Sequence, residues 1–117
     1  MNIIIKTKNL ELTASLQEFI EEKIGGLKKF TKILQKDSSE GFFVEIGRET
    51  NHHRKGDIFR AEARVHLPQK TLVAVSEKDD LKRAIVEVKD ELQQEIKKYK
   101  LKKTELLIRK QRKIDTL

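Results

Sequence analysis

Residues 59–101 read FRAEARVHLPQKTLVAVSEKDDLKRAIVEVKDELQQEIKKYKL. Two periods follow one another in this stretch. Phe59, Ala61, Ala63, Val65 and Leu67 alternate with Arg60, Glu62, Arg64 and His66. Period two makes a strand with one apolar and one polar face. Pro68-Gln69-Lys70 turns the chain, and Thr71–Val75 reads as the next strand. From about residue 79 to 101 the period changes: Leu81, Ile85, Val88, Leu92, Ile96 and Tyr99 recur every three or four positions, which predicts a long amphipathic helix. Ser76 followed by Asp79 resembles a capping box for its start. A sheet wet on one face needs its other face covered, and this helix supplies a cover.

Upstream, Ile3, Ile4 and Ile5 open a β-branched strand ending near Lys8-Asn9. Thr13 is placed to cap a helix running to about Lys32, with Leu16, Phe19, Ile20, Ile24, Leu27 and Phe30 on one face. Gly25-Gly26 lies inside that span; each Gly costs roughly 1 kcal/mol against Ala in a helix, so a bend or a close backbone approach is expected there. Lys36–Gly41 is a polar loop. Phe42, Val44 and Ile46 then alternate with Phe43, Glu45 and Gly47 in a strand over about 41–49, and Asn51–Asp57 reads as a hairpin loop. The order is β-α-β-β-β-α, an α+β fold: a four-stranded mixed sheet with two helices packed side by side on one face. The first crossover contains a helix, so strands one and two are expected to be parallel neighbours joined right-handedly.

At 117 residues the chain holds one core, and 1–103 is expected to form the domain with 104–117 as a basic C-terminal tail whose helicity stays open. There is no Cys, hence neither disulfide framework nor thiolate chemistry. MNIIIKTKNLEL has an apolar run too short for a signal peptide, and no run approaches the ~18–20 apolar residues that cross a bilayer. A cytoplasmic location fits this pattern. A pI near 9.6 favours an acidic partner.

The basic charge is local. Residues 97–113, KKYKLKKTELLIRKQRK, hold nine cations and one acid, a net of +8 in a chain whose total is +7. Such a block suits a polyphosphate or an anionic membrane; the plainer reading is a solvated helix end that complements the dipole. On a wheel of 100° per residue, Lys82, Lys89, Gln93, Lys97, Lys100 and Lys103 form a stripe beside the apolar sector, while Glu87, Glu91 and Glu95 take the far side. That sorting predicts one helix side on the sheet, one on a polyanion and one in water. Lys23 falls within the apolar face of the first helix and must snorkel, which brings its ammonium toward the groove between the helices. A core-edge Lys paired with a carboxylate competes with that reading. Lys28, Lys29 and Lys32 extend the cationic end, and His52-His53-Arg54-Lys55 forms a second basic site at a hairpin tip. Paired His without a third ligand at a telling spacing argues against zinc. No GxSxG, P-loop or framed carboxylate pair supports catalysis, and Gly25-Gly26 sits mid-helix rather than at a strand-to-helix turn.

Several segments together carry a resemblance: Thr13-Ala14-Ser15-Leu16, Glu22-Lys23-Ile24, Leu27-Lys28-Lys29-Phe30, His53-Arg54-Lys55-Gly56-Asp57, Phe59-Arg60-Ala61-Glu62, and Asp80-Leu81 through Ala84-Ile85 to Asp90, Leu92, Ile96 and Lys98-Tyr99-Lys100. In their order and spacing over roughly 1–103 the chain resembles the bacterial ribosome hibernation-promoting factor and ribosome-associated inhibitor family. It departs from that pattern at Lys82, where the family carries an aromatic, and at Val86, where it carries Asp. Ending at Leu117, where long-type members carry a linker and a second, dimerising domain, it looks like a short-type member or a divergent one.

The resemblance implies a non-enzymatic factor, without cofactor, metal or small-molecule substrate, that binds the small ribosomal subunit. It would occupy the rRNA-lined decoding channel, compete with tRNA and mRNA, and silence idle ribosomes. The RNA contacts then expected are Lys23, Lys28, Lys29, His52, His53, Arg54, Lys55, Lys82, Arg83, Lys89, Lys97, Lys100 and Lys103. Recognition would rest on phosphates and RNA shape; with most of the five Phe assigned to the core, a base-stacking sheet is not expected. Three other readings compete. A generic double-stranded-RNA-binding module usually starts with a helix and clusters Lys at the start of its second helix. A small metal-dependent nuclease needs carboxylates and His gathered in space. A membrane-surface helix would need the apolar face that the sheet requires.

Overall fold

A computed structural model describes residues 3–31, 41–50, 56–67 and 70–115, with side chains through Lys102, Thr50 excepted. The elements are β1 (Ile3–Lys8), α1 (Ala14–Gly25), α2 (Lys28–Thr31), β2 (Phe42–Thr50), β3 (Asp57–Leu67), β4 (Lys70–Lys78) and α3 (Leu81–Asp115). The sheet runs β1-β2-β3-β4. The helical crossover makes β1 and β2 parallel, with Ile3 opposite Phe42 and Ile5 opposite Val44. The two hairpins make the remaining pairs antiparallel, with Val44 opposite Ala63 and Ala63 opposite Ala74. The predicted α+β architecture is thus the observed one.

Both helical layers cover one face. Phe42, Val44, Ile46, Ala61, Ala63, Val65, Leu67, Leu72 and Ala74 are buried beneath Ile20, Ile24 and Leu27 of the first layer and Ala84, Ile85, Val88, Leu92, Ile96 and Tyr99 of α3. Three small residues, Ala61 and Ala63 on β3 and Ala74 opposite Ala63 on β4, let α3 lie close over β3 and β4. The opposite face stays open, with Ile4, Val73 and Val75 exposed.

Three boundaries differ from the expectation. The first helix divides. Thr13 caps it as predicted, its hydroxyl accepting from the Leu16 amide at 3.1 Å. The helix then ends at Gly25, and three-residue turns, Leu27 N to Ile24 O at 2.9 Å and Phe30 N to Leu27 O at 3.0 Å, carry the chain into α2. Two successive glycines weaken the helix where the turn tightens. Second, Ser76 does not cap α3. It is a buried residue of β4 paired with Ala61, because β4 runs on to Lys78. Asp80 takes the capping role, accepting from the Lys82 amide at 2.9 Å. Third, α3 continues past Leu101 without a break to Asp115, so the backbone of the basic tail is helical.

Candidate nucleic-acid interface

The groove between the two helical layers is lined by cations from both. Lys23 comes from the last turn of α1, Lys29 from α2, and Lys82, Lys89, Lys97 and Lys100 from α3. The α3 residues, with Gln93, fall within a sector of about 80°. α1 and α2 both pack on α3, which sets Lys23 and Lys29 beside that sector. A cleft of about 340 Å³ is lined there by Lys23, Gly26, Lys29, Phe30, Lys89 and Gln93, together with one acid, Glu22. Lys23 is half-buried, as its position inside the apolar face required, and its ammonium emerges into the groove.

What holds these ammonium groups is aromatic. The Phe19 ring, half-buried against the core, carries Lys23 Nζ at 5.7 Å and Lys82 Nζ at 5.5 Å from its centroid. The Phe30 ring carries Lys29 Nζ at 5.1 Å, Lys97 Nζ at 5.5 Å and Lys100 Nζ at 6.0 Å. Lys23, Lys29, Lys82 and Lys97 pair with no carboxylate among the described residues. Assigning most of the phenylalanines to the core left this role unread. Phe42 is fully buried, whereas Phe19 and Phe30 sit at the core edge and face the lysines.

Charge on α3 is sorted much as the wheel predicts, with one exception in the stripe. Lys89 Nζ lies 3.1 Å from Asp90 Oδ1 of the next residue, which draws part of its charge out of the groove. On the far side, Glu87 pairs with Lys78 of β4 at 2.9 Å and Glu95 with Lys98 at 3.6 Å. The Lys78 ammonium bonded to Glu87 holds that carboxyl below its ordinary value of 4.5. Arg83 is not brought into the groove. It lies about 100° around the helix from Lys82, in a depression of about 630 Å³ that Phe19 and Lys82 border on one side and Lys78, Glu87, Asp90 and Glu91 on the other sides, so cations and acids mix there. Lys28 is half-buried on α2. His52, His53, Arg54 and Lys55, and the side chain of Lys103, lie outside the described residues.

Elsewhere, Phe43 sits on the open sheet face with the Arg64 guanidinium 5.7 Å from its centroid and the His66 ring edge-on at 5.5 Å. Lys6, Glu45, Glu62 and Arg64 surround it with both signs, unlike the acid-poor groove. Among the described residues, no group of three or more His, Cys, Asp or Glu side chains is placed to hold a metal ion. Among the same residues, no helix is long and apolar enough to cross a membrane.

Comparison with known proteins agrees with this architecture. The N-terminal domain of Thermus thermophilus Protein Y superposes with a TM-score of 0.62 at 24% identity, covering 85% of this chain and 99% of that one. A ribosomal subunit interface protein from Coxiella burnetii superposes with a TM-score of 0.58 at 22% identity, covering 86% and 99% respectively. At these identities the two structures show a common fold. No curated protein matches the chain. Residues 3–104 match the family described as sigma 54 modulation protein / S30EA ribosomal protein, and because that match takes in β1 to β4, α1, α2 and α3 as far as residue 104, the chain belongs to this family.

Proposed function

We propose that this protein is a non-enzymatic, cytoplasmic ribosome-associated factor that silences translation by binding small-subunit ribosomal RNA in the decoding channel through the groove between its helices. Family membership supports association with the ribosome, and the ribosomal subunit interface protein from Coxiella burnetii has the same fold. The observation that carries the RNA reading is the groove itself: Lys23 and Lys29 line its cleft, Lys82 and Lys97 stand over Phe19 and Phe30 beside it, and none of the four has a carboxylate partner among the described residues. Unpaired ammonium groups on a rigid two-helix frame suit phosphates held at fixed positions, which is how folded RNA is read by shape. Seated in the channel, the protein would exclude tRNA and mRNA by occupancy, with no catalytic step.

Sedimentation with purified ribosomes and separated subunits across a salt series tests this. Binding should favour the small subunit and fall steeply with salt, since each neutralised phosphate releases counterions. Failure to bind small subunits at low salt ends the proposal. Unimpaired tRNA binding and in vitro translation with the protein bound would refute the silencing mechanism and leave the RNA contact standing.

A further inference from the structure

We infer that Phe19 and Phe30 are positioning residues of the RNA interface: their ring faces gather the groove lysines into two separate cation clusters and hold them ready for phosphate. This rests on reading the groove as an RNA site and adds to it residues that carry no charge.

Like charges side by side repel, and a free lysine side chain samples many rotamers. The groove nevertheless sets Lys23 and Lys82 over one ring and Lys29, Lys97 and Lys100 over another. The negative face of a phenyl ring attracts ammonium groups within about 6 Å of its centroid, and all five distances are 6.0 Å or less. An ammonium has three N–H donors. Contact with a ring occupies one side and leaves donors on the other, so the ring contact and a phosphate contact coexist. The rings therefore lower the ordering cost that five lysines would otherwise bring to binding. Each is itself fixed by packing on the core.

The arrangement also describes the ligand. Lys82 and Lys97 belong to different clusters, and fifteen residues of α3 separate them by about 22 Å. Between the clusters lies Lys89, drawn aside by Asp90. A partner that engages both must present phosphates at two places about 20 Å apart on one rigid surface, which a folded RNA with two backbone segments does and a few flexible nucleotides do not.

The test replaces the ring and keeps its apolar volume. Phe19→Leu and Phe30→Leu are compared with Phe19→Tyr and Phe30→Tyr, thermal melts confirming the fold. Proton NMR of the free protein reads the contact without any RNA. The lysine ε-CH₂ protons should lie upfield from ring currents; Phe30→Leu should release Lys29, Lys97 and Lys100, Phe19→Leu should release Lys23 and Lys82, and the tyrosine variants should keep both sets. Binding is read with purified small ribosomal subunits. Each leucine variant should lose about two- to fivefold in affinity per ammonium released, with the salt slope unchanged because no cation has been removed, and tyrosine should restore it. Absent upfield shifts in the natural protein, or folded leucine variants that bind small subunits with full affinity, would overturn the inference. If the natural protein shows the shifts but binds no small subunit, the RNA reading of the groove fails while the ring–lysine contacts stand.

Discussion

Lys97 on α3 sets its ammonium 5.5 Å from the centroid of the Phe30 ring on α2. The contact bridges the two helical layers across the groove, so packing and charge placement are coupled: whatever seats Phe30 against the core also seats Lys97. The consequences can be measured.

Position should matter more than total charge. Changing Lys82, Lys89, Lys97 and Lys100 together to Glu should abolish binding to small ribosomal subunits, because all four fall in one sector facing the groove. Glu91→Lys should leave binding undiminished, since Glu91 is exposed on the opposite side of α3. Sedimentation at fixed salt separates the two results, with circular dichroism as the check on folding.

Asp90 should act as a brake on the groove. Its carboxylate sits 3.1 Å from Lys89 Nζ, so Asp90→Asn should raise affinity for small subunits and steepen the logarithmic salt dependence by up to about one. Lys89→Gln should flatten it by less, because Asp90 already holds that ammonium aside, and should cancel the gain when combined with Asp90→Asn.

The Lys78–Glu87 pair ties the end of β4 to the start of α3. Its carboxyl is held below 4.5 in the folded protein, chiefly by the Lys78 ammonium, so it binds its proton more weakly there than in the unfolded chain. The stabilisation is therefore complete above about pH 4.5 and is lost as pH falls through the lowered value. Melting temperatures of Glu87→Gln and the natural protein should differ at neutral pH and converge in acid.

Two glycines should respond in opposite senses. A Cβ at Gly25 would meet Ile3 Cδ1 at 3.8 Å, an ordinary contact, so Gly25→Ala should stabilise by about 0.4–1 kcal/mol. Gly56 has φ +104°, a conformation a side chain disfavours, and Gly56→Ala should destabilise by more than that gain. Chemical denaturation reads both.

Core truncation should separate the two ends of α3. Leu92 is fully buried, and Leu92→Ala should cost about 2–5 kcal/mol. Leu101 is exposed, and Leu101→Ala should stay within about 0.5 kcal/mol.

The elements and their order were legible in the chain because they depend on short-range rules. The alternation through Phe59–Leu67 and the spacing from Leu81 to Tyr99 each set a local geometry and a buried face, and the helical crossover dictated the parallel pairing of β1 with β2. The charge sorting on α3 was readable for the same reason, since a wheel needs only the residue spacing. The wheel could not show that Ser76 would remain in β4. The strand's length there is set by pairing with Ala61 across the sheet, a long-range hydrogen-bond ladder that outweighs a local capping motif. Nor could it show the grouping of lysines over Phe19 and Phe30. Those rings belong to α1 and α2 and most of their lysines to α3, so the contacts exist only once hydrophobic burial has pressed the two layers together. Periodicity reports which side of an element a residue faces, and packing settles what it finds there.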